Sequence, residues 1–309
     1  MKKSLIAMAM AAAIAAPAAN ANVVIYGKVH VSIDHVKSES SDARWAVSSN
    51  ASRIGFKGTE DLGNGMSLIW KAETTYDFAD GDARDGDRNA YIGLTGDWGT
   101  FLYGNHDTAL KMSTGKLDLF ADTIADYDET IDFDDERWHD NIMYISPNIN
   151  GITFAVNGAI HADSGSEEDL FQSYSIAAMY SNNGLYLSAA YELEDGSSEE
   201  KNWRVGAGYD MNNIHLGFVY EDSDQEFGTD AKMWQISGSY TMGNNVFKAM
   251  FGAEDKSTNE NGWAVGVDHK LSKRSKVYAV YVDTDNDIKN HDLDDDEQKG
   301  FSLGMIHNF

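Results

Sequence analysis

Asp118, Asp122 and Asp126 stand four residues apart in a strongly acidic stretch of the chain. From His106 to Arg137 ten acids (Asp107, Asp118, Asp122, Asp126, Asp128, Glu129, Asp132, Asp134, Asp135 and Glu136) meet three bases, Lys111, Lys116 and Arg137. A short helical turn here would place the three spaced aspartates on one side. In a narrow, low-dielectric passage such carboxylates set the local potential and draw cations in; in open water they form an ordinary solvated loop. Leu117, Leu119, Phe120 and Ile124 interleave with them and could pin the segment to a wall. Catalytic patterns are missing. The nine histidines are scattered, with no H-E-x-x-H, and there is no G-x-S-x-G elbow, Walker loop or dinucleotide fingerprint. With no cysteine there is no disulfide, thiolate zinc site, iron–sulfur cluster or cysteine nucleophile. A Ser/His pair assembled across neighbouring strands would escape local motifs. No cofactor is expected. Fifty acids against 24 bases, a formal charge of −26, argue against a surface for nucleic-acid phosphates.

The elements that must position these residues are strands. From Val23 the side chains alternate: Val23, Ile25, Gly27, Val29, Val31 and Ile33 against Tyr26, Lys28, His30, Ser32 and Asp34. Successive strand side chains point to opposite faces, so the segment has one apolar and one polar face. The pattern returns at Leu185–Glu194, at Ile214–Glu221 (Val219 falling in the polar set) and at Phe301–Phe309. By this parity Lys28, Arg53, Lys57 and Lys71 belong to polar faces.

Short Gly/Asn/Asp turns, such as Asp61-Leu62-Gly63-Asn64-Gly65, Ser181-Asn182-Asn183-Gly184 and Met242-Gly243-Asn244-Asn245, alternate with longer connections. Counting between them predicts about sixteen strands of roughly ten residues, short turns at one end and long loops at the other, the pattern of an outer-membrane barrel. In hydrocarbon a sheet can pair every N–H and C=O only by closing on itself. So wide a barrel is not filled by side chains alone, and water enters. A soluble β-sandwich would alternate too, but needs no one-sided division of long and short connections. The fold class expected is therefore all-β, an antiparallel transmembrane barrel in a single domain.

Lys2, Lys3, the apolar stretch Leu5–Ala16, Pro17 and Ala19-Asn20-Ala21 form the pattern of a cleaved secretory signal peptide. Residues 1–21 are expected to be removed, leaving a barrel over 22–309 whose formal charge moves from −26 to −28 with the loss of two lysines.

Ser52-Arg53-Ile54-Gly55-Phe56-Lys57-Gly58-Thr59-Glu60-Asp61-Leu62-Gly63-Asn64-Gly65 resembles the second strand and first tight turn of the Gram-negative general porins. Val24-Ile25-Tyr26-Gly27, Tyr91-Ile92-Gly93-Leu94, Trp98–Gly104, Asn141, Tyr144, Ser146-Pro147 and Leu271-Ser272-Lys273-Arg274-Ser275 extend the likeness over nearly all of the mature chain, as does the aromatic Phe309. Two places differ. The chain has Gly104-Asn105 where relatives often carry Gly-Arg, and Lys116–Asp126 replaces the P-E-F-G-G signature of many pore loops.

The resemblance implies a sixteen-stranded homotrimeric barrel in the Gram-negative outer membrane, its third long loop folded into the lumen. It implies that basic side chains on the wall face carboxylates on that loop across a constriction. Arg88 and Arg137 match the family's wall arginines, joining Lys28, Arg53, Lys57 and Lys71; Asp118, Asp122 and Asp126 stand for the loop. The expected function is passive diffusion of ions and small hydrophilic solutes, with cation preference inferred from the loop acids and the net charge. Alternatives are a channel selective for sugars or other small nutrients, using aromatics as a stacking track, and a plugged structural or adhesive barrel. Lipid and lipopolysaccharide are the expected surroundings. The acid run Asp292–Glu297 offers oxygen ligands for calcium or magnesium but lacks the spacing of a dedicated calcium loop; solvation, loose divalent bridging to lipopolysaccharide and adaptation to salt are its readings.

Overall fold

A computed structural model describes residues 22–38, 42–84, 88–160, 171–195, 199–226, 228–256, 259–286, 288 and 297–309. The signal-peptide segment 1–21 and positions 292–296 of the acidic run lie outside the described residues.

Alternation and turn chemistry produce strands throughout. The first half holds β1 (Asn22–Ser38), β2 (Arg44–Ser49), β3 (Arg53–Gly63), β4 (Met66–Tyr76), β5 (Ala83–Arg84), β6 (Ala90–Gly96), β7 (Gly99–Asp107), β8 (Arg137–Ile145) and β9 (Ile152–Ala159). The second half holds β10 (Ser173–Asn182), β11 (Leu185–Asp195), β12 (Glu199–Met211), β13 (Ile214–Gln225), β14 (Ala231–Met242), β15 (Asn245–Asp255), β16 (Asn259–Lys270), β17 (Ser275–Thr284) and β18 (Glu297–Asn308). All pair antiparallel with sequence neighbours. The ring closes where β1 meets β18, from Lys28 opposite Asn308 to Ser38 opposite Glu297. Gly27 and Phe309 complete the seam with reciprocal backbone bonds of 3.2 and 3.1 Å.

The segments make sixteen crossings, because two are broken. β3 pairs with the first half of β1 and β2 with the second, the break falling at Ala51, which takes φ +47°. β6 and β5 likewise share β4. Tight turns close one end: Asn183 and Gly184, at φ +49° and +79°, give the mirror-image geometry that suits twisted hairpins.

The two side-chain sets separate as alternation requires. On β11 Leu185 and Leu187 are exposed, while Tyr186, Ser188, Ala190 and Glu192 are buried. Trp45, Trp203 and Trp263 stand in the exposed, outward set, suited to interfacial girdles. The inward set is not uniformly polar. Val36, Val219, Met233, Met250, Val280, Val282 and Ile306 are buried on it, packed against Leu117, Phe120, Ile124, Tyr127, Ile131 and Phe133 of the β7–β8 connection. Part of the inner wall is therefore dry.

Candidate pore constriction

The connection between β7 and β8 opens with helix α1 (Ala109–Thr114) and carries a second turn, α2 (Tyr127–Thr130). Thr108 caps α1 by accepting the Lys111 N–H at 3.2 Å. The free donors of its first turn are taken by the wall: Ala109 N–H reaches Asn157 Oδ1 and Leu110 N–H reaches Ser175 Oγ, both at 2.9 Å. Further along, the Leu119 carbonyl accepts Lys248 Nζ at 2.8 Å, and the Thr130 carbonyl accepts Thr284 Oγ1 at 3.0 Å. Lys248 also lies 4.5 Å from the Phe120 ring centroid. Every one of these wall partners belongs to the inward set.

Wall glycines make room for the loop. A methyl group on Gly206 would lie 2.8 Å from Leu117 Cδ1, and one on Gly300 2.7 Å from Ile124 Cδ1. Close approach, not backbone freedom, is what these positions need.

Arg204 on β12 gathers the two legs of the loop. It is fully buried, pairs with Glu221 directly opposite on β13, and donates to Thr114 Oγ1 at 2.9 Å, Asp135 Oδ1 at 2.7 Å and the Asp134 carbonyl. Its guanidinium carbon lies 5.5 Å from the Phe133 ring centroid.

The loop aspartates divide. Asp122, at φ +60°, turns out to the wall and pairs with Lys28 of β1. Burial pushes its carboxyl up, but the charge and hydrogen bond of Lys28 outweigh this and bring it to about 2. Asp118 and Asp126 face one another instead. Asp118 accepts Phe120 N–H at 2.8 Å and Asp126 accepts Asp122 N–H at 2.5 Å. Burial raises Asp118 to about 7; burial and then the Asp118 charge hold Asp126 well above the usual carboxylate range. The expected helical turn over 118–126 is thus corrected: a left-handed residue interrupts it, and the three carboxylates do not share a side.

On the same wall as Lys28, Glu73 of β4 organises the bases. It accepts Tyr26 OH at 2.7 Å, lies 3.0 Å from Lys71 Nζ and 3.9 Å from Arg53 Nε. Arg88 Nε donates to Thr75 Oγ1 at 3.1 Å and lies within electrostatic reach of Arg53, Arg137, Asp122 and Glu73. Arg137 pairs with Asp107 at 2.8 Å. Lys57 stands apart from the carboxylates, exposed, 5.0 Å from the Tyr26 ring centroid. Lys28, Arg53, Lys71, Arg88 and Arg137 are therefore gathered around Asp122, Glu73 and Asp107. Arg204, Lys248 and Glu221 escaped sequence reading. The direct Arg204–Glu221 register was the signal for that pair, visible only once strand pairing is known. Among the described residues no group of three or more His, Asp or Glu side chains is placed to hold a metal ion.

The sequence profile of the Gram-negative porins matches residues 6–289. The chain is 28% identical over 308 residues to the major outer membrane protein P.IB of Neisseria meningitidis serogroup B, covering 90% of this chain and 91% of that one. It is 24% identical over 321 residues to outer membrane protein U of Vibrio parahaemolyticus, covering 91% and 89%. Among solved structures, an anion-selective porin from Comamonas acidovorans superposes with a TM-score of 0.80 at 20% identity, over 94% of this chain and all of that one. The trimer form of OmpT from Vibrio cholerae gives 0.70 at 17% identity, over 94% and 99%. With the closed sixteen-crossing barrel, these likenesses make the chain a member of the Gram-negative porin family, a passive channel of the outer membrane.

Proposed function

We propose that ions and small hydrophilic solutes diffuse through an eyelet bounded by the β7–β8 connection, lying inside the barrel, and by Lys28, Arg53, Lys71, Arg88 and Arg137 on the wall. One observation carries this reading: the connection touches inward-set side chains of many strands, and its Asp122 tip reaches the basic wall. Asp118 and Asp126 serve the loop's internal structure rather than the passage. Lys57 lies to one side of it.

The ionic preference we propose is for cations, supplied by the acidic field of the whole chain and not by the eyelet. Five bases against three acids leave the narrow point positively charged. The preference should therefore be clear at low salt and fade as screening shortens the reach of distant charges to ~3 Å at about 1 M. A second reading, anion preference, is favoured by that same eyelet surplus. A zero-current potential across a bilayer under a KCl gradient decides between them, and its sign at low salt tests the proposal. Ohmic conductance separates an open channel from a plugged barrel. We further propose a homotrimer in contact with lipid and lipopolysaccharide; crosslinking in native membranes tests the subunit number.

A further inference from the structure

Two hollows at opposite ends of the barrel carry opposite fixed charge, the basic one confined to the β16–β17 turn while other short turns carry Asp61, Asp97 and Asp210. Near the long-loop end lies a hollow of about 310 Å³ lined by nine carboxylates, among them Glu129, Asp132, Glu136 and Glu200, and by one base, Lys256; Arg204 behind it pairs with two of the nine, Asp135 and Glu221. At the short-turn end a hollow of about 510 Å³ is lined by Lys270, Lys273, Arg274 and Lys276 and by no carboxylate. Lys270 and Lys276 face each other directly across the β16–β17 ladder. They belong to the inward set, Lys276 alternating with buried Tyr278 and Lys270 with buried Asp268. Lys276 is paired with Asp268 at 2.7 Å, whereas Lys270, Lys273 and Arg274 stand exposed at the rim. In a chain of 24 bases and 50 acids, four bases within seven positions at one mouth are a local reversal of sign.

We propose that this axial charge reversal makes the channel an ionic rectifier, passing more current when the long-loop side is positive. The inference rests on the channel reading above. Charged zones enrich the oppositely charged ion and exclude the like-charged one. With the long-loop side positive, cations enter through the acidic zone and anions through the basic zone. Both converge on the middle of the pore and raise its conductance. With the polarity reversed, each ion must enter through the zone that excludes it, and the middle is depleted. The short-turn end of such barrels faces the periplasm, so the favoured direction carries cations inward.

The test is a current–voltage curve of the purified whole protein in a planar bilayer at two KCl concentrations. At about 0.1 M KCl, where charges act over ~10 Å, currents at equal and opposite voltages should differ about twofold; at about 1 M, where they act over ~3 Å, the ratio should approach one. Because the chain has no cysteine, Asn244→Cys marks orientation: a polymer maleimide too large to pass reduces the current only from the short-turn chamber. The triple variant Lys270→Gln, Lys273→Gln, Arg274→Gln should abolish the asymmetry while conductance persists. Glu129→Gln with Asp132→Asn and Glu136→Gln should weaken it from the other end. Symmetric low-salt currents in a conducting channel, a reversed sign, or asymmetry untouched by both variants would overturn the rectifier and leave the channel reading standing. A bilayer without current would overturn both.

Discussion

Arg204 Nη1 stands 2.7 Å from Asp135 Oδ1 and, on its other side, 2.9 Å from Thr114 Oγ1, so one guanidinium on the wall closes the two legs of the β7–β8 connection. Tyr127 OH donates to the same Asp135 carboxylate at 3.1 Å, and Lys111 Nζ reaches the Asp135 carbonyl at 2.7 Å. A fork with five donors suits such a junction; a lysine could not span it. The neck is held by charge, the middle by apolar packing, and the tip by the Lys28–Asp122 pair.

Replacing Arg204 with Leu should release the neck. Glu221 would remain buried without its cation and Asp135 would keep only Lys111, at 4.0 Å; breaking a buried pair from one side costs about 3–5 kcal/mol. The barrel, closed by its own ladders, should still assemble and keep its heat-modifiable mobility on gels. The loop should become cleavable between Lys116 and Glu136, and single-channel records should gain closing flickers. Adding Glu221→Leu should recover part of the loss, since it removes one stranded carboxylate. Unchanged protease resistance in the single variant would refute the clamp.

The Lys28–Asp122 pair sets an acid limit for the eyelet. Folding lowers the Asp122 carboxyl from about 3.9 to about 2, so its contribution is present above the unfolded value and lost as pH falls through about 2. Single-channel conductance should therefore hold steady from neutrality down to about pH 4 and change only below about pH 3. Asp122→Asn should remove that acid step and, by deleting one of the eyelet's carboxylates, move the zero-current potential toward anions wherever Asp122 is ionised in the wild type, above about pH 3.

Asp118 titrates in the opposite sense. Burial raises its carboxyl to about 7, so the folded loop keeps a proton that the unfolded chain gives up near 3.9. The unfolded state then binds fewer protons between these values, and stability of the seated loop falls as pH rises from about 4 to about 7. Protease cleavage within the loop should be slower at about pH 5 than at about pH 8. Asp118→Asn, neutral throughout, should shrink this step, the remainder coming from Asp126, which burial still holds above the usual carboxylate range. Equal cleavage of the wild-type loop at both values would exclude the protonated pair.

The barrel was legible because its signals are local. Alternation fixes the face of each residue, and pairs such as Asn183-Gly184 fix the turns. The basic wall was legible in part for the same reason: Lys28, Arg53 and Lys71 share one parity. What local signals cannot show is depth. Val219, between Gly217 and Glu221, reads as a solitary exception on a wet face, yet it is buried beneath the loop. The four-residue spacing of Asp118, Asp122 and Asp126 suggested a helical side. The backbone turns over at Asp122 instead, so that the middle carboxylate leaves the other two. Inward glycines on strands distant in sequence were the overlooked trace of the seat.

That seat gives the last prediction. Gly300 of β18 lies beneath Ile124, and a Cβ there would stand 2.7 Å from Ile124 Cδ1 and 3.2 Å from Val36 Cγ1. Gly300→Val adds three carbons to a packed interface, an overpacking that costs typically about 1–3 kcal/mol. The loop can relieve it only by lifting at Ile124, two residues from Asp122, which draws the tip away from Lys28. The variant should resemble Asp122→Asn in its zero-current potential while keeping every charged side chain, and it should add protease sensitivity that Asp122→Asn lacks. Gly238→Ala is the control, because its nearest neighbours, the His215 carbonyl and Leu216 Cδ2, would lie at an ordinary 3.5 Å. If Gly300→Val left both the potential and the cleavage rate at wild-type values, Ile124 would not be what holds the tip in place.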